Sequence, residues 1–524
     1  MKETWNVAVL ASKDPKYLTE FDAFVKDIEN VGVSHNIRFV FFEFDGNPEH
    51  TLISKYLFTG NRSEEKAPGD CNDLYNPQHL ITFFKTHVVV KDSETETNRY
   101  IVITHGHGAG LGVLAKLEPT RVPENIKAEL ISNSKDGHES FNIASSIKDF
   151  ESKFDLLSKQ NNQIAYLTAN SIVPKLTTDE IKMIPEETLK FFNDKITENP
   201  VIKPLLNEFE NFRIDYKERT KFVLTLLTGQ DLNFIFSNSF EKKIDVLITI
   251  NCFTQMFELG LGLKDSISLL VAPQTMIPFY GVNYAPLFSL LNNAGPSSLS
   301  LMAISKNITS YFWPKYIQPD IETIFKKNYP DFKIEDTSFC CNSLGQYSAL
   351  DELIGEVGQK LNALKDKSIQ IRGIISEARK KCRDLSPSGD YGVVDFTLFF
   401  QNVLFGLKSR NEILADQDNM TVFVHLNALF YKLIMDIRKN SNLSIMMCEA
   451  KNYVALDIDN NIQNGIDYVS LSPFFISIFF PDNKKSIMQD LLRPKLGSLT
   501  RAVQPLGKPS YKDWSDFVID LFNS

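Results

Sequence analysis

The sequence is short of the residues that mark several protein classes. Cysteine occurs six times in 524 residues, at Cys71, Cys252, Cys340, Cys341, Cys382 and Cys448, and no two form a Cys-x-x-Cys pair. This excludes a disulfide framework and a zinc ribbon, and it fits a reducing, cytoplasmic setting. No stretch reaches the roughly 18 unbroken apolar residues of a membrane span. The opening, MKETWNVAVLASKDPKY, has no basic region followed by a long apolar one, so no signal peptide is expected. Positive charge is in deficit: 56 Lys and Arg against 65 Asp and Glu leave a net charge of −9. That disfavours nucleic acid and anionic membranes as partners. The chain also lacks a Gly-x-x-x-x-Gly-Lys phosphate loop and a Gly-x-Ser-x-Gly elbow, which removes the anchors of a P-loop enzyme and of a serine hydrolase.

What is present is ordinary in bulk, with 43% apolar and 23% charged residues, as in a soluble globular protein of about two to four domains. Phenylalanine is abundant (40), and lysine, asparagine and isoleucine are frequent, a usage that suggests an AT-rich bacterial genome. The first 115 residues alternate strand and helix. Asn6–Ser12 reads as a strand, Tyr17–Val31 as a helix, Asn36–Asn47 as a strand ending in a turn, Asn76–Val88 as a helix with Asn76 as N-cap, and Tyr100–Thr104 as a strand. The pattern resumes with strands at Ile244–Ile250 and Ser266–Ala272, and a helix over CFTQMFELGLGL between them. Runs that are apolar on both faces and are separated by helices predict a parallel sheet covered on both sides. Residues 122–222 carry amphipathic pieces such as Ile143–Leu157 and Glu186–Ile196 but no convincing strand, and read as an insertion. Later helices are expected at Ala349–Leu364, Asp395–Leu407, His425–Ile437 and from Lys512, with a last strand at Phe474–Asp482. The expected organisation is α/β, with the sheet built from 1–121 and 223–330, a mainly helical insertion at 122–222 and an α/β C-terminal part over 331–524.

Ligands and catalysis sit at the carboxyl ends of strands in an open parallel sheet. Two of these strands end in reactive residues: Tyr100–Thr104 runs into His105, and Ile244–Ile250 into Asn251-Cys252. If the strands are neighbours, an imidazole faces a thiol, the arrangement in which a base takes the thiol proton and the thiolate attacks a carbonyl. The backbone N–H of Gly106, unshielded by a side chain, and that of Cys252 are candidate oxyanion donors. A helix beginning at Cys252 would add positive potential that favours thiolate. The plain alternative for Cys252 is an inert buried thiol. His105 and His107 could instead share a metal, but Gly-Ala-Gly-Leu-Gly follows where a third ligand would be expected, so no metal is assigned.

These residues resemble a known family. WNVAVLAS…LTEFDAFVKDIENVG…NIRFVFFEFDGN is similar to the opening of clostripain-like (C11) cysteine peptidases of the caspase-like clan. NPQHLITFFKTHVVV…NRYIVITHGHGAG resembles their L-x-x-F…Y-x-L-I-L-W-x-H-G-x-G. KKIDVLITINCFTQMFELGLGLKDSISLLVAPQTMIPFYGVNY resembles K-I-D-V-L-x-F-D-A-C-L-M-x-x-x-E…Y-L-V-A-S-x-x-x-x-P-x-x-G-W-x-Y. Further similarity lies in Asp395-Phe396, LSPFFISIFFPDN and YKDWSDFVIDLF. The resemblance implies a caspase-like fold and a cysteine endopeptidase acting on peptide or protein substrates, with His105 as base, Cys252 as nucleophile and His107 in a variable position. It implies no cofactor, although calcium is required by some members. The family's two acids that select a basic P1 side chain fall on Ile250 and Tyr280, so a neutral P1 is expected, with Gln274 as a further S1 residue. Members are commonly matured by cleavage between histidine and cysteine, which makes 122–222, with Lys135, Lys159 and Lys217, the expected target of an activating protease or regulatory protein. A catalytically silent pseudo-peptidase that binds a partner through the same groove is the rival expectation.

Overall fold

The computed structural model describes residues 2–14, 18–30, 36–56, 62–119, 222–277, 281, 284, 287–288, 291, 339–382, 385, 392–439, 444–445, 476–481 and 509–523. The chain divides into two units, one made of residues 1–116 with 225–524 and the other of residues 117–224. Residues 120–221 lie outside the described residues, and so do the helical pieces expected of the insertion, its lysines, and Tyr280.

In chain order the elements are β1 (Lys2–Ser12), α1 (Leu18–Asn30), β2 (Ile37–Phe44), β3 (Leu52–Tyr56), β4 (Arg62–Lys66), α2 (Pro77–Phe83), β5 (Glu96–His105), β6 (Gly112–Pro119) and β7 (Phe222–Thr228). There follow α3 (Gly229–Ser239), β8 (Ile244–Ile250), α4 (Phe257–Leu263), β9 (Ile267–Pro273), β10 (Phe339–Ser343), α5 (Tyr347–Lys365), α6 (Ile369–Lys381), β11 (Val393–Asp395), α7 (Phe396–Lys408), α8 (Gln417–Lys439), β12 (Ser444–Ile445), β13 (Ser477–Phe479) and α9 (Tyr511–Asn523). Among the described residues no helix is long and apolar enough to cross a membrane.

Nine strands form one sheet in the order β12-β10-β9-β8-β5-β1-β2-β3-β4. The central five, β9 to β2, are parallel. The flanks are antiparallel, with β10 on β9 and β12 on β10 at one edge, β3 on β2 and β4 on β3 at the other. The expected parallel sheet is thus the middle of a mixed one. β10 and β12 both lie after residue 331, so the part expected as a separate C-terminal domain contributes strands to the main sheet. Asn76 caps α2 as expected, its Oδ1 accepting from the Gln78 N–H at 3.0 Å.

Side chains alternate faces along a strand, and the core follows that period. One face carries Val7, Val9, Ala11, Ile101, Ile103, Val246, Ile248, Ile250, Leu269 and Val271, covered by Phe21, Phe24 and Val25 of α1 and by Tyr284, Leu287, Phe288 and Leu291. The opposite face is covered by α2 and α3, with Phe83 edge-on to Phe42 and Phe240 edge-on to Tyr100. β1 lies between β2 and β5, so the chain first builds the sheet in one direction and then in the other. The crevice at the carboxyl ends of β1 and β5 is therefore the topological switch point, where open α/β sheets bind ligands.

Candidate active site

Three strand ends meet at that switch point. His105 pairs in register with Ala11 of β1 on one side and with Ile250 of β8 on the other. Its parity matches Ile101 and Ile103, which places the imidazole on the α1 face of the sheet. There the ring stacks on Phe24, with centroids 4.5 Å apart and planes 26° from parallel, and meets Phe21 edge-on at 5.3 Å. Only 2% of the residue is exposed. Cys252 follows β8 by two residues and packs against the same apolar cluster. The two residues are thereby carried on adjacent parallel strands, at the same end and on the same face.

The thiol is closely enclosed by residue 277. The Ile277 N–H points at Sγ from 3.5 Å, and Sγ lies 3.6 Å from the Ile277 carbonyl, which accepts from it. Cys252 keeps partial solvent exposure, but burial of the thiol pushes its pKa up to about 11, against a lesser downward pull from the Ile277 backbone and its own N–H. The thiol is therefore neutral at physiological pH in this arrangement.

The helix expected to open at Cys252 begins instead at Phe257. The intervening peptides are taken by neighbouring chain. The Phe253 N–H donates to Thr275 O and the Gln255 N–H to Pro273 O, while Met256 bridges Ser477 of β13. Phe253 adopts φ 61°, a left-handed conformation that is costly for a bulky side chain and incompatible with a helix start. The Thr254 hydroxyl, 2.7 Å from Asn251 O, secures the turn. The thiol consequently has no helix N-terminus behind it, and that support for thiolate falls away.

A second correction concerns the oxyanion donors. The Gly106 N–H donates to Ile250 O at 3.1 Å as part of the β5–β8 ladder, so it is engaged rather than presented to a substrate. Gly106 has φ +154°, and a side chain there would crowd Ser12. Gly108 packs against the backbone of Cys252, where a Cβ would lie 2.2 Å from Cys252 O and 2.7 Å from Cys252 N. No other residue type fits that position.

Of the expected S1 residues, Ile250 lies wholly inside the apolar cluster beside Ile277 and Tyr284, and Tyr280 is outside the described residues. Gln274 points elsewhere: its Nε2 donates to Asp395 Oδ2 at 3.0 Å, both residues being buried. Asp395 in turn caps α7 through the Leu398 N–H. Gln274 is a strut between β9 and the C-terminal part, because a buried amide must satisfy its N–H groups and Asp395 offers the acceptor. His107 is exposed, with Nε2 2.8 Å from Asp14 Oδ2, while His105 is under Phe24, so the two imidazoles are not directed to one ion. Among the described residues no group of three or more His, Cys, Asp or Glu is placed to hold a metal.

Sequence reasoning missed three contributors. Phe24 and Ile277 touch the two candidate reacting groups from distant segments, and Asn251 bonds to the histidine turn across the sheet. Only Asn251 carried a local signal, as a polar residue in an otherwise apolar run.

Six residues after the nucleophile position, Glu258 is fully buried. Its Oε1 accepts from the Phe479 N–H of β13 at 2.8 Å and from the Tyr511 hydroxyl of α9 at 2.5 Å. Burial raises its pKa from 4.5 to about 7, opposed by these two hydrogen bonds. The segment that follows Cys252 is in this way tied to the last two elements among the described residues, β13 and α9.

No family model and no curated protein matches the chain. Among solved structures, a secreted C11 cysteine protease from Bacteroides thetaiotaomicron, "iotapain", aligns with 10% identity and a TM-score of 0.46, over 95% of this chain and 98% of that one. An inactive zymogen C11 protease from Parabacteroides distasonis aligns with 10% identity and a TM-score of 0.42, over 94% and 95%. The secreted Bacteroides thetaiotaomicron protease in complex with an irreversible peptide inhibitor gives 12% and 0.43, over 94% and 96%. The chain is thus similar, along nearly its whole length and at low identity, to C11 cysteine proteases of known structure.

Proposed function

We propose that the chain is a cysteine endopeptidase with Cys252 as nucleophile and His105 as base, preferring a neutral P1 residue and resting in a latent state. The observation that carries this reading is the delivery of a thiol and an imidazole to the same end and face of two adjacent parallel strands, at the switch point of the sheet. In the reaction the thiol proton passes to His105 and sulfur attacks the scissile carbonyl. The C–N bond then breaks, and the leaving amine takes the proton from the imidazolium. Water, deprotonated by His105, releases the acid from the thioester and restores the thiol. The Cys252 N–H is the proposed oxyanion donor.

Latency is supported by the raised thiol pKa and by Ile277 against Sγ. Activation then requires a change that separates Ile277 from the thiol, and an activating protease or a regulatory protein acting on 122–222 is the proposed trigger. The neutral P1 preference is supported by the apolar character of the cluster against which Cys252 packs, to which Ile250, Ile277 and Tyr284 belong. An ammonium or guanidinium placed there would lose several kcal/mol of hydration without a counter-charge.

A positional-scanning peptide library, with wild type and Cys252→Ala side by side, tests both activity and preference. Once the chain has been opened by limited proteolysis within 122–222, cleavage after neutral residues, absent in the variant, is expected, and best cleavage after arginine would refute the S1 reading. The purified protein should run as one chain on a denaturing gel, because its own lysines do not suit its S1. EDTA should leave activity intact; recovery with zinc would favour metal chemistry, and recovery with calcium would indicate a structural ion. A catalytically silent partner-binding protein is the second reading, favoured by the neutral thiol and the engaged Gly106 N–H. A peptidyl acyloxymethyl ketone decides between them: labelling of Cys252 after proteolysis within 122–222 supports the peptidase, and its failure in every state supports the silent form.

A further inference from the structure

Asn251 stands between β8 and Cys252, is wholly buried, and has a partner for each polar atom of its side chain. Oδ1 accepts from Thr104 Oγ1 at 2.5 Å. Nδ2 donates to the carbonyls of Gly106 and His107, both at 3.0 Å. All three partners flank His105, one before it and two after. The amide therefore holds the histidine turn on both sides of His105, through the Thr104 side chain before it and two backbone carbonyls after it, and it does so from the residue adjoining the nucleophile.

Only a primary amide satisfies this pattern, since two carbonyl oxygens require donors and one hydroxyl requires an acceptor. A carboxylate would set negative charge against both carbonyls. An apolar residue would take this partner from the Thr104 hydroxyl and the Gly106 carbonyl, and would leave the His107 carbonyl with the Ala115 N–H alone of the two donors. Gly108 lies against the Asn251–Cys252 peptide with no space for a Cβ, so the turn is confined on that side as well.

We propose that Asn251 is a positioning residue that fixes the imidazole of His105 relative to the thiol of Cys252. The inference rests on the reading of these two as base and nucleophile. A residue of purely structural importance would lower stability and leave the coupling of imidazole to thiol unchanged. A positioning residue acts through His105, so the two should be non-additive in a double-mutant cycle.

The readout is the rate of Cys252 alkylation by iodoacetamide as a function of pH, followed by mass spectrometry of the Cys252 peptide. Full-length wild type, Asn251→Ala, His105→Ala and the double variant are compared. This measurement requires no peptidase activity. The expected result is that His105→Ala shifts the pH profile, that Asn251→Ala shifts it in the same direction with a change of about tenfold at neutral pH, and that the double variant matches His105→Ala. Multiplication of the two effects in the double variant overturns the proposal, as does an unshifted profile in Asn251→Ala. If Asn251→Ala fails to fold, Thr104→Val takes its place, removing only the hydroxyl that orients the amide. A smaller shift in the same direction, restored by Thr104→Ser, is expected, and an unshifted Thr104→Val overturns the proposal. Non-additive alkylation together with no acyloxymethyl ketone labelling would reject the peptidase and retain the role of Asn251.

Discussion

Cys252 and Glu258 stand six residues apart on one connection, both are driven toward the neutral form by burial, and their surroundings differ in kind. Cys252 looks onto the apolar α1 face, where its polar neighbours are one N–H and one carbonyl of Ile277 at long sulfur distances. Glu258 looks toward the C-terminal part and accepts two short hydrogen bonds from separate elements. Weak partners let a group change state when a neighbour moves, whereas two buried donors on one carboxyl oxygen make the group a fixed joint. The connection thus has a changeable end and a fixed end, the arrangement expected where a reactive group must be switched on without loosening the fold.

The largest test of this contrast is Cys252→Ala. In protein activated by cleavage within 122–222 it should reduce peptide cleavage to background while the thermal melt stays close to wild type, since it removes one partly exposed sulfur. A large loss of stability would mean that the thiol is also a structural element. His105→Ala should cost about 10²–10⁴-fold in kcat, the range of a general base, with His107→Ala little changed because its ring is at the surface beside Asp14. Reversal of the two effects would move the motif by two residues.

Glu258→Ala should show the opposite profile from Cys252→Ala, with stability falling by about 3 kcal/mol or more as two buried donors lose their acceptor. Glu258→Gln should cost less, because its amide oxygen can accept both. The pH dependence separates the two ends of the connection further. In the folded state Glu258 holds its proton up to about 7, whereas the unfolded carboxyl releases it near 4.5. The native state binds more protons in that window, so its stabilisation is complete below 4.5 and lost as pH rises through 7, by about 3 kcal/mol in total. The corresponding window of Cys252 runs from 9.0 to about 11. Urea titrations should show the acidic window vanish in Glu258→Gln and the alkaline one in Cys252→Ala. The smallest effect is expected for Gln274→Ala, about 1–2 kcal/mol, from one lost hydrogen bond to buried Asp395.

The central strands were legible because burial on both faces leaves continuous apolar runs, as in Ile244–Ile250. The edge strands were not. LISKY and RSEEK at β3 and β4 mix polar residues in, since one edge is exposed, and FCCNS at β10 is too short to show a period. The run from Cys252 has a helix-like apolar pattern, but its first turn is taken by hydrogen bonds to residues 273 and 275 that no local pattern encodes. His105 and Cys252 could be found because each ends a readable strand. Asn251, where the resembled motif has alanine, acquires its role only when β5 and β8 lie in register, and Ile277 only when the chain after β9 returns over the thiol.

The bond between Glu258 and Tyr511 spans 253 residues of sequence. A ribosome adding roughly 5–20 residues per second takes on the order of 10 to 50 seconds to cover that interval. During that time the strand and turn bearing Cys252 exist without the helix that anchors the segment behind them. The carboxylate must wait for the closing helix before it can be satisfied, so the reactive end of the molecule is among the last places to settle in each newly made copy. Order of synthesis thus delays maturation of the site by the simple fact that its anchor is encoded 253 residues after the carboxylate it holds.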